Sequence, residues 1–162
     1  MPRTEKNFQI ISGGQTGADR AALDVAIALG IAHGGWVPQG RLTEEGPLPE
    51  KYRLQEMDSD SYPKRTEKNV LEADGTVIVS HGKLTGGTAL TKKLAKEHCK
   101  SLLHLDLDKM SLLYAARLLQ SWLLDNGIRV LNVAGARAST DPEIYEATMK
   151  VLELALQNHR QS

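Results

Sequence analysis

The sequence predicts an α/β fold: a Rossmann-like three-layer sandwich whose central sheet is mostly parallel and has about six strands. Three observations lead there. Short apolar runs alternate with helical patterns from one end of the chain to the other, and such alternation needs crossover connections that bring strands together in parallel. Glycine clusters stand directly between apolar runs and helices, as in IISGGQTGADRAALD and VIVSHGKLTGGTALT. The length, 162 residues, suits one domain spanning 1–162.

Taken in order, residues 8–12 read as a buried strand. In the helix that follows, Ala18, Ala21, Ala22, Val25 and Leu29 fall on one stripe and Gly30 stops it. Residues 31–37 are a second strand, weakened in the middle by Gly34 and Gly35. Next comes a long Pro/Gly-rich segment, VPQGRLTEEGPLPEKY, with no periodicity. Residues 53–57 form a short strand and 62–73 a polar helix. The strongest strand signal is GTVIVS, residues 75–80, followed by a helix over 87–98. A strand over 102–107, a helix over 111–125 and a last strand over 128–134 follow. Asp141 caps the final helix with Pro142 in its first turn.

Twenty basic and twenty acidic residues balance to zero formal charge. That argues against nucleic acid as the main partner, because phosphate-backbone binding needs a basic footprint, and it puts little repulsion in the way of self-association. Cys99 is the one cysteine, so no intramolecular disulfide can form. No apolar run approaches membrane-spanning length and MPRTEKNF has no apolar leader core. The expectation is a cytoplasmic protein with no membrane and no nucleic-acid partner.

Open parallel sheets bind ligands at the carboxyl ends of their strands, so the useful residues should follow each strand. After the first come Gly13, Gly14, Gln15, Thr16 and Gly17, with Asp19 and Arg20 in the first helical turn. Glycines allow a sharp turn and close approach, and a helix N-terminus attracts anions. This loop is either a tight structural turn or a phosphate cradle. It lacks the Lys of GxxxxGK[ST], and it fails GxGxxG at the first glycine. After GTVIVS, Thr85, Gly86, Gly87 and Thr88 repeat the theme; the hydroxyls can cap the helix, bind phosphate, or both. After the last strand, Asn132, Gly135 and Arg137 are the candidates. Asn132 needs a partner because an unpaired buried amide is costly, and Arg137 has the forked geometry of a phosphate clamp.

Other residues could line a pocket: Trp36, Arg65, Thr66, Glu67, Asn69 and Asp106. Each has a plain structural alternative, and Asp106 with Asp108 could also bind magnesium or ribose. The histidines show no metal-ligand spacing, so no protein–metal site is expected. The segment over 37–52 is a candidate lid, with Arg41 folding onto a phosphate.

SGGQTGADRAALD, GWVPQGR, RTEKNVLEADGTVIVSHGKLTGGTALT and NVAGARAS together resemble the molybdenum carrier family. This is the circularly permuted YpsA-like branch of the superfamily (SLOG) that contains the lysine-decarboxylase-like nucleotide phosphoribohydrolases. The resemblance covers nearly the whole chain. It implies a Rossmann-like fold, homo-oligomers (dimer or tetramer), and a small phosphorylated ligand, either the molybdenum cofactor's pterin-phosphate or a nucleotide. Two departures bear on function. The hydrolases carry PGGxGTxxE, and the stretch from Leu84 to Thr91 keeps the glycine pair without the glutamate. Ala136 and Ala138 stand where relatives tend to have Pro and Glu. Two classes follow: a binding or carrier protein, or a nucleotide 5′-monophosphate N-glycosidase in which Glu67 or Asp19 would serve. No catalytic residue is assigned.

Overall fold

The computed structural model describes residues 8–159. The elements run β1 (Gln9–Ile11), α1 (Ala18–Leu29), β2 (Ala32–Gly34), β3 (Trp36–Val37), β4 (Leu42–Thr43), β5 (Gly46–Pro47), β6 (Gln55–Glu56), α2 (Tyr62–Glu72), β7 (Gly75–Ser80), α3 (Gly86–Glu97), β8 (Ser101–Asp106), α4 (Leu112–Asp125), β9 (Val130–Gly135) and α5 (Ile144–Leu156). Five strands form the central sheet in the order β2-β1-β9-β7-β8, and every pairing in it is parallel. The chain leaves β1 toward one edge and later builds β7 and β8 toward the other. β9 then closes the middle, which sets the strand-order switch between β1 and β7.

The sheet has five strands where about six are expected, and Gly35 is the reason. The predicted strand over 31–37 breaks there at φ 121°. A Cβ on Gly35 would lie 2.2 Å from the Ser12 carbonyl oxygen, so only glycine lets the chain cross this close to β1 as it turns away. β3 then leaves the main sheet and pairs with β6, and the Pro/Gly-rich segment folds its own hairpin from β4 and β5. The last helix also begins later than expected. Asp141 Oδ1 accepts from the Glu143 amide (3.0 Å) in a turn that precedes Ile144.

The three layers follow from where apolar residues fall. β7 is buried along its whole length, as a strand covered on both faces must be. On one face, Ala22 and Val25 of α1, Leu119 of α4 and Val151 and Leu152 of α5 pack with Val77, Leu131 and Val133 of the sheet. On the other, Val70 of α2 packs with Leu94 and Ala95 of α3. A smaller cluster of Leu23, Val37, Leu48, Tyr52 and Leu54 holds the long excursion down on α1. Ser61 and Ser111 cap α2 and α4 by accepting from the Lys64 (3.3 Å) and Tyr114 (3.1 Å) amides. No helix among the described residues is long and apolar enough to cross a membrane.

Candidate functional site

The carboxyl ends of β1, β9 and β7 open into a cavity of about 460 Å³. Its floor is the end of β9, from Asn132 to Gly135. One wall is α2, through Arg65, Thr66 and Asn69, and the other is the start of α3, through Thr85, Gly86, Gly87 and Thr88. Gly13, Gln15 and Asp19 close the β1 side, and Arg137 and Ser139 stand at the mouth. Thirteen residues expected at a site thus meet around one space. Gly14, Thr16, Gly17, Arg20, Trp36, Arg41, Glu67 and Asp106 do not line it.

The two glycine loops differ in what they do with their donors. In the loop after β1, the Gly14 amide donates to Ser12 Oγ (3.3 Å) and the Gln15 amide to Asp19 Oδ2 (3.2 Å). The Thr16 amide donates to Gln15 Oε1 (3.0 Å) and the Ala18 amide to the Ala136 carbonyl (3.2 Å). The glycines make room for protein. A Cβ on Gly13 would meet Arg65 NH1 at 1.3 Å, one on Gly14 would meet Leu48 Cδ2 at 3.0 Å, and one on Gly17 would meet the Ala136 oxygen at 2.3 Å. Of the expectation of a phosphate cradle at the start of α1, the structure retains Gly13 and the Gln15 side chain as cavity lining. The Gly14, Gln15, Thr16 and Ala18 amides are engaged within the protein.

The loop before α3 is open. The Thr85 amide donates to Thr88 Oγ1 (3.1 Å) and the Thr88 amide returns to the Thr85 carbonyl (3.1 Å). The Gly86 and Gly87 amides meet no acceptor among the described residues, because the first turn of a helix has none to offer. A Cβ on either glycine would meet nothing within 4 Å. Thr91 Oγ1 donates to the Gly87 carbonyl (2.9 Å) and steadies this turn from one helical turn further on.

Among the described residues five buried side-chain polar atoms lack a hydrogen-bond partner, and two of them belong to cavity-lining residues, Gln15 and Arg65. Gln15 is 5 % exposed, with Oε1 engaged by the Thr16 and Glu44 amides and Nε2 unbonded. Arg65 is 8 % exposed; NH1 reaches Asp19 Oδ2 at 3.3 Å while Nε is unbonded. Asp19 is pushed above the ordinary carboxylate range by burial, against the opposing pull of the Arg65 guanidinium and the Gln15 amide.

Several expected site residues have hydrogen-bond partners within the protein. Arg41 donates to the carbonyls of Leu48 (3.1 Å), Pro49 (2.9 Å), Tyr52 (2.7 Å) and Leu54 (3.5 Å), fastening the excursion to itself. Asn69 holds β3, accepting from the Trp36 amide (2.8 Å) and donating to its carbonyl (3.1 Å). Asn132 donates to Thr76 Oγ1 (3.2 Å). Arg20 reaches the Gly14 carbonyl at 3.5 Å and lies over the Tyr52 ring. Glu67 pairs with His98 Nε2 (2.9 Å). Asp106 accepts from the Gly82 (2.8 Å) and Asp108 amides, which hold it below the ordinary carboxylate range.

One residue without an expected role ties the site together. Glu44, in the β4–β5 turn, accepts from Thr16 Oγ1, from the Ser139 amide (3.1 Å) and from Ser139 Oγ (2.5 Å), and lies 3.9 Å from Arg137 NH1. The Ser139 and Thr16 hydrogen bonds hold its carboxyl below the ordinary range. Nothing in the spacing of an acidic pair within a Pro/Gly-rich segment points to this contact, which spans 95 residues. Among the described residues no group of three or more His, Cys, Asp or Glu is placed to hold a metal ion.

A crystal structure from Syntrophus aciditrophicus SB, of a protein named "Putative molybdenum carrier protein", has the same fold with a TM-score of 0.91. It is 60% identical in sequence, and the match covers 91% of this chain and 94% of that one. No curated protein matches the chain. Residues 10–156 match the description Circularly permutated YpsA SLOG family. With a glycine-opened helix at the end of β7, a switch between β1 and β7, and these matches over nearly its whole length, the chain belongs to the circularly permuted YpsA SLOG family.

Proposed function

We propose that this protein binds and carries a phosphorylated heterocycle, either a molybdenum-cofactor-like pterin or a nucleotide. The observation that carries the reading is the pair of buried, unbonded donors, Gln15 Nε2 and Arg65 Nε, at a cavity that the open N-terminus of α3 also lines. A buried donor without an acceptor costs about 1–3 kcal/mol. A ligand oxygen that meets such a donor removes that cost. The Gly86 and Gly87 amides, the partial positive charge of the helix end and Arg137 supply the complement to a phosphate. The cavity is of the size that takes a small heterocycle. The name of the Syntrophus relative supports a carrier role. On this reading the chain holds the cargo by its phosphate and ring, and any metal arrives within the cargo.

The hydrolase reading has less support. Glu67 is tied to His98 away from the cavity, and Asp19 faces Arg65. The test is mass spectrometry of what co-purifies after gentle isolation, followed by incubation with a panel of nucleotide 5′-monophosphates. The expected result is a bound phosphorylated heterocycle and no free base released. Release of free base would make the protein a phosphoribohydrolase, and a preparation that neither retains nor rebinds any such compound would remove the carrier reading.

A further inference from the structure

We infer that Thr16, Arg137 and Ser139 form a second oxyanion subsite beside the cavity, which the chain fills with its own Glu44 carboxylate until an anionic group of the ligand displaces it. The inference rests on the phosphorylated-ligand reading above. The Glu44 carboxylate receives the Thr16 hydroxyl, the Ser139 amide (3.1 Å) and the Ser139 hydroxyl (2.5 Å), with the Arg137 guanidinium at 3.9 Å. These are the donors that a phosphate oxygen takes from a protein: two hydroxyls, one backbone amide and one guanidinium. Arg137 and Ser139 also line the cavity, so an anion there and Glu44 compete for the same groups.

The excursion does not need Glu44 to stay folded. Its base is held by the apolar cluster of Leu23, Val37, Leu48, Tyr52 and Leu54 and by the four carbonyls on Arg41. Only the β4–β5 turn hangs on the site, through the carboxylate and through the Glu44 amide, which donates to Gln15 Oε1 (2.9 Å). Gly46, which closes that turn opposite Thr43, has φ 98° and open space where a Cβ would stand. The turn can therefore lift while the base stays in place. Its departure also removes one of the two amides on Gln15 Oε1, the side chain whose Nε2 lacks a partner among the described residues.

The experiment uses the intact protein with inorganic phosphate and with AMP as probes. Affinity is measured by calorimetry for wild type and Glu44→Gln, and amide hydrogen exchange is followed in wild type with and without saturating probe. The expected result is faster exchange over residues 42–48 when a probe binds, and about tenfold tighter binding to Glu44→Gln, a coupling of ordinary size. If a probe binds while exchange over 42–48 slows or stays the same, or if Glu44→Gln binds equally or more weakly, the displaced-carboxylate inference is overturned and the ligand reading survives. If neither probe binds either protein, the displaced-carboxylate inference is overturned, and the ligand reading is decided by what co-purifies. Should Glu44→Gln not fold, the wild-type exchange result alone decides.

Discussion

The loop after β1 and the loop before α3 look alike in sequence, each a glycine cluster between a buried strand and a helix, and the structure uses them in opposite ways. Around Gly13, Gly14 and Gly17 the space that a Cβ would need is taken by Arg65, Leu48 and the Ala136 carbonyl. Around Gly86 and Gly87 it is empty, and their amides face no acceptor. Glycine at a strand–helix joint therefore reports that something comes close. It does not report whether that something is the protein itself or a ligand, and the hydrogen-bond inventory decides between them.

Changes at the two loops should break in different currencies, stability at the first and binding at the second. The largest loss is expected for Arg65→Ala, which leaves Asp19 buried without its partner, at a cost of about 3–5 kcal/mol. The pH dependence has a definite sign. Burial raises the folded Asp19 carboxyl above its unfolded value of 3.8, so its contribution is most favourable below that value and is lost as pH rises through the folded one. Removing Arg65 extends this window upward. Urea denaturation should therefore show a larger deficit relative to wild type at pH 7.5 than at pH 5; an equal deficit at both would mean that Asp19 is not the charged partner.

Gly17→Ala is expected to cost about 2–4 kcal/mol, the sum of an unfavourable φ of 83° and a Cβ 2.3 Å from the Ala136 oxygen. A mutant with wild-type denaturation midpoint would show that the loop is not packed as described. Arg41→Ala should come next, at about 1.5–3 kcal/mol, because the guanidinium holds four carbonyls of the excursion. Thermal unfolding with AMP titration separates this from a lid role, in which affinity would fall and stability would not. Gly87→Ala should be the mildest and run the other way. Inside the first turn of α3, in open space, alanine should stabilise the free protein by about 0.5–1 kcal/mol, while AMP affinity drops because the methyl group stands where the phosphate approaches.

Much of the fold was legible because it rests on local pattern. The six apolar or small residues of GTVIVS and the Gly30 stop are written within a few residues of where they act. The split of the second strand was half legible. Gly34 and Gly35 mark a weakness, but that β3 would turn away to meet β6 depends on Ser12 lying 2.2 Å from where a Cβ would be. At the site, the residues following each strand were found because parallel topology brings strand ends together. What those residues touch was not legible, since Arg41 and Leu48, Asn69 and Trp36, and Glu44 and Ser139 are paired only by the folded path of the excursion. Glu44 was the largest omission, as an acidic residue in a polar turn reads as solvated until its donors are seen.

On the proposed function, an anion is held at the start of α3 and not at the start of α1. Backbone and side-chain amide resonances of labelled protein, followed during titration with AMP, test it directly. The account requires the Gly86 and Gly87 amides and the Gln15 side-chain amide to move with the same saturation curve, while the Gly14, Thr16 and Ala18 amides, each already bonded within the protein, stay nearly still. Large shifts at Gly14, Thr16 and Ala18 with Gly86 and Gly87 unmoved would contradict it.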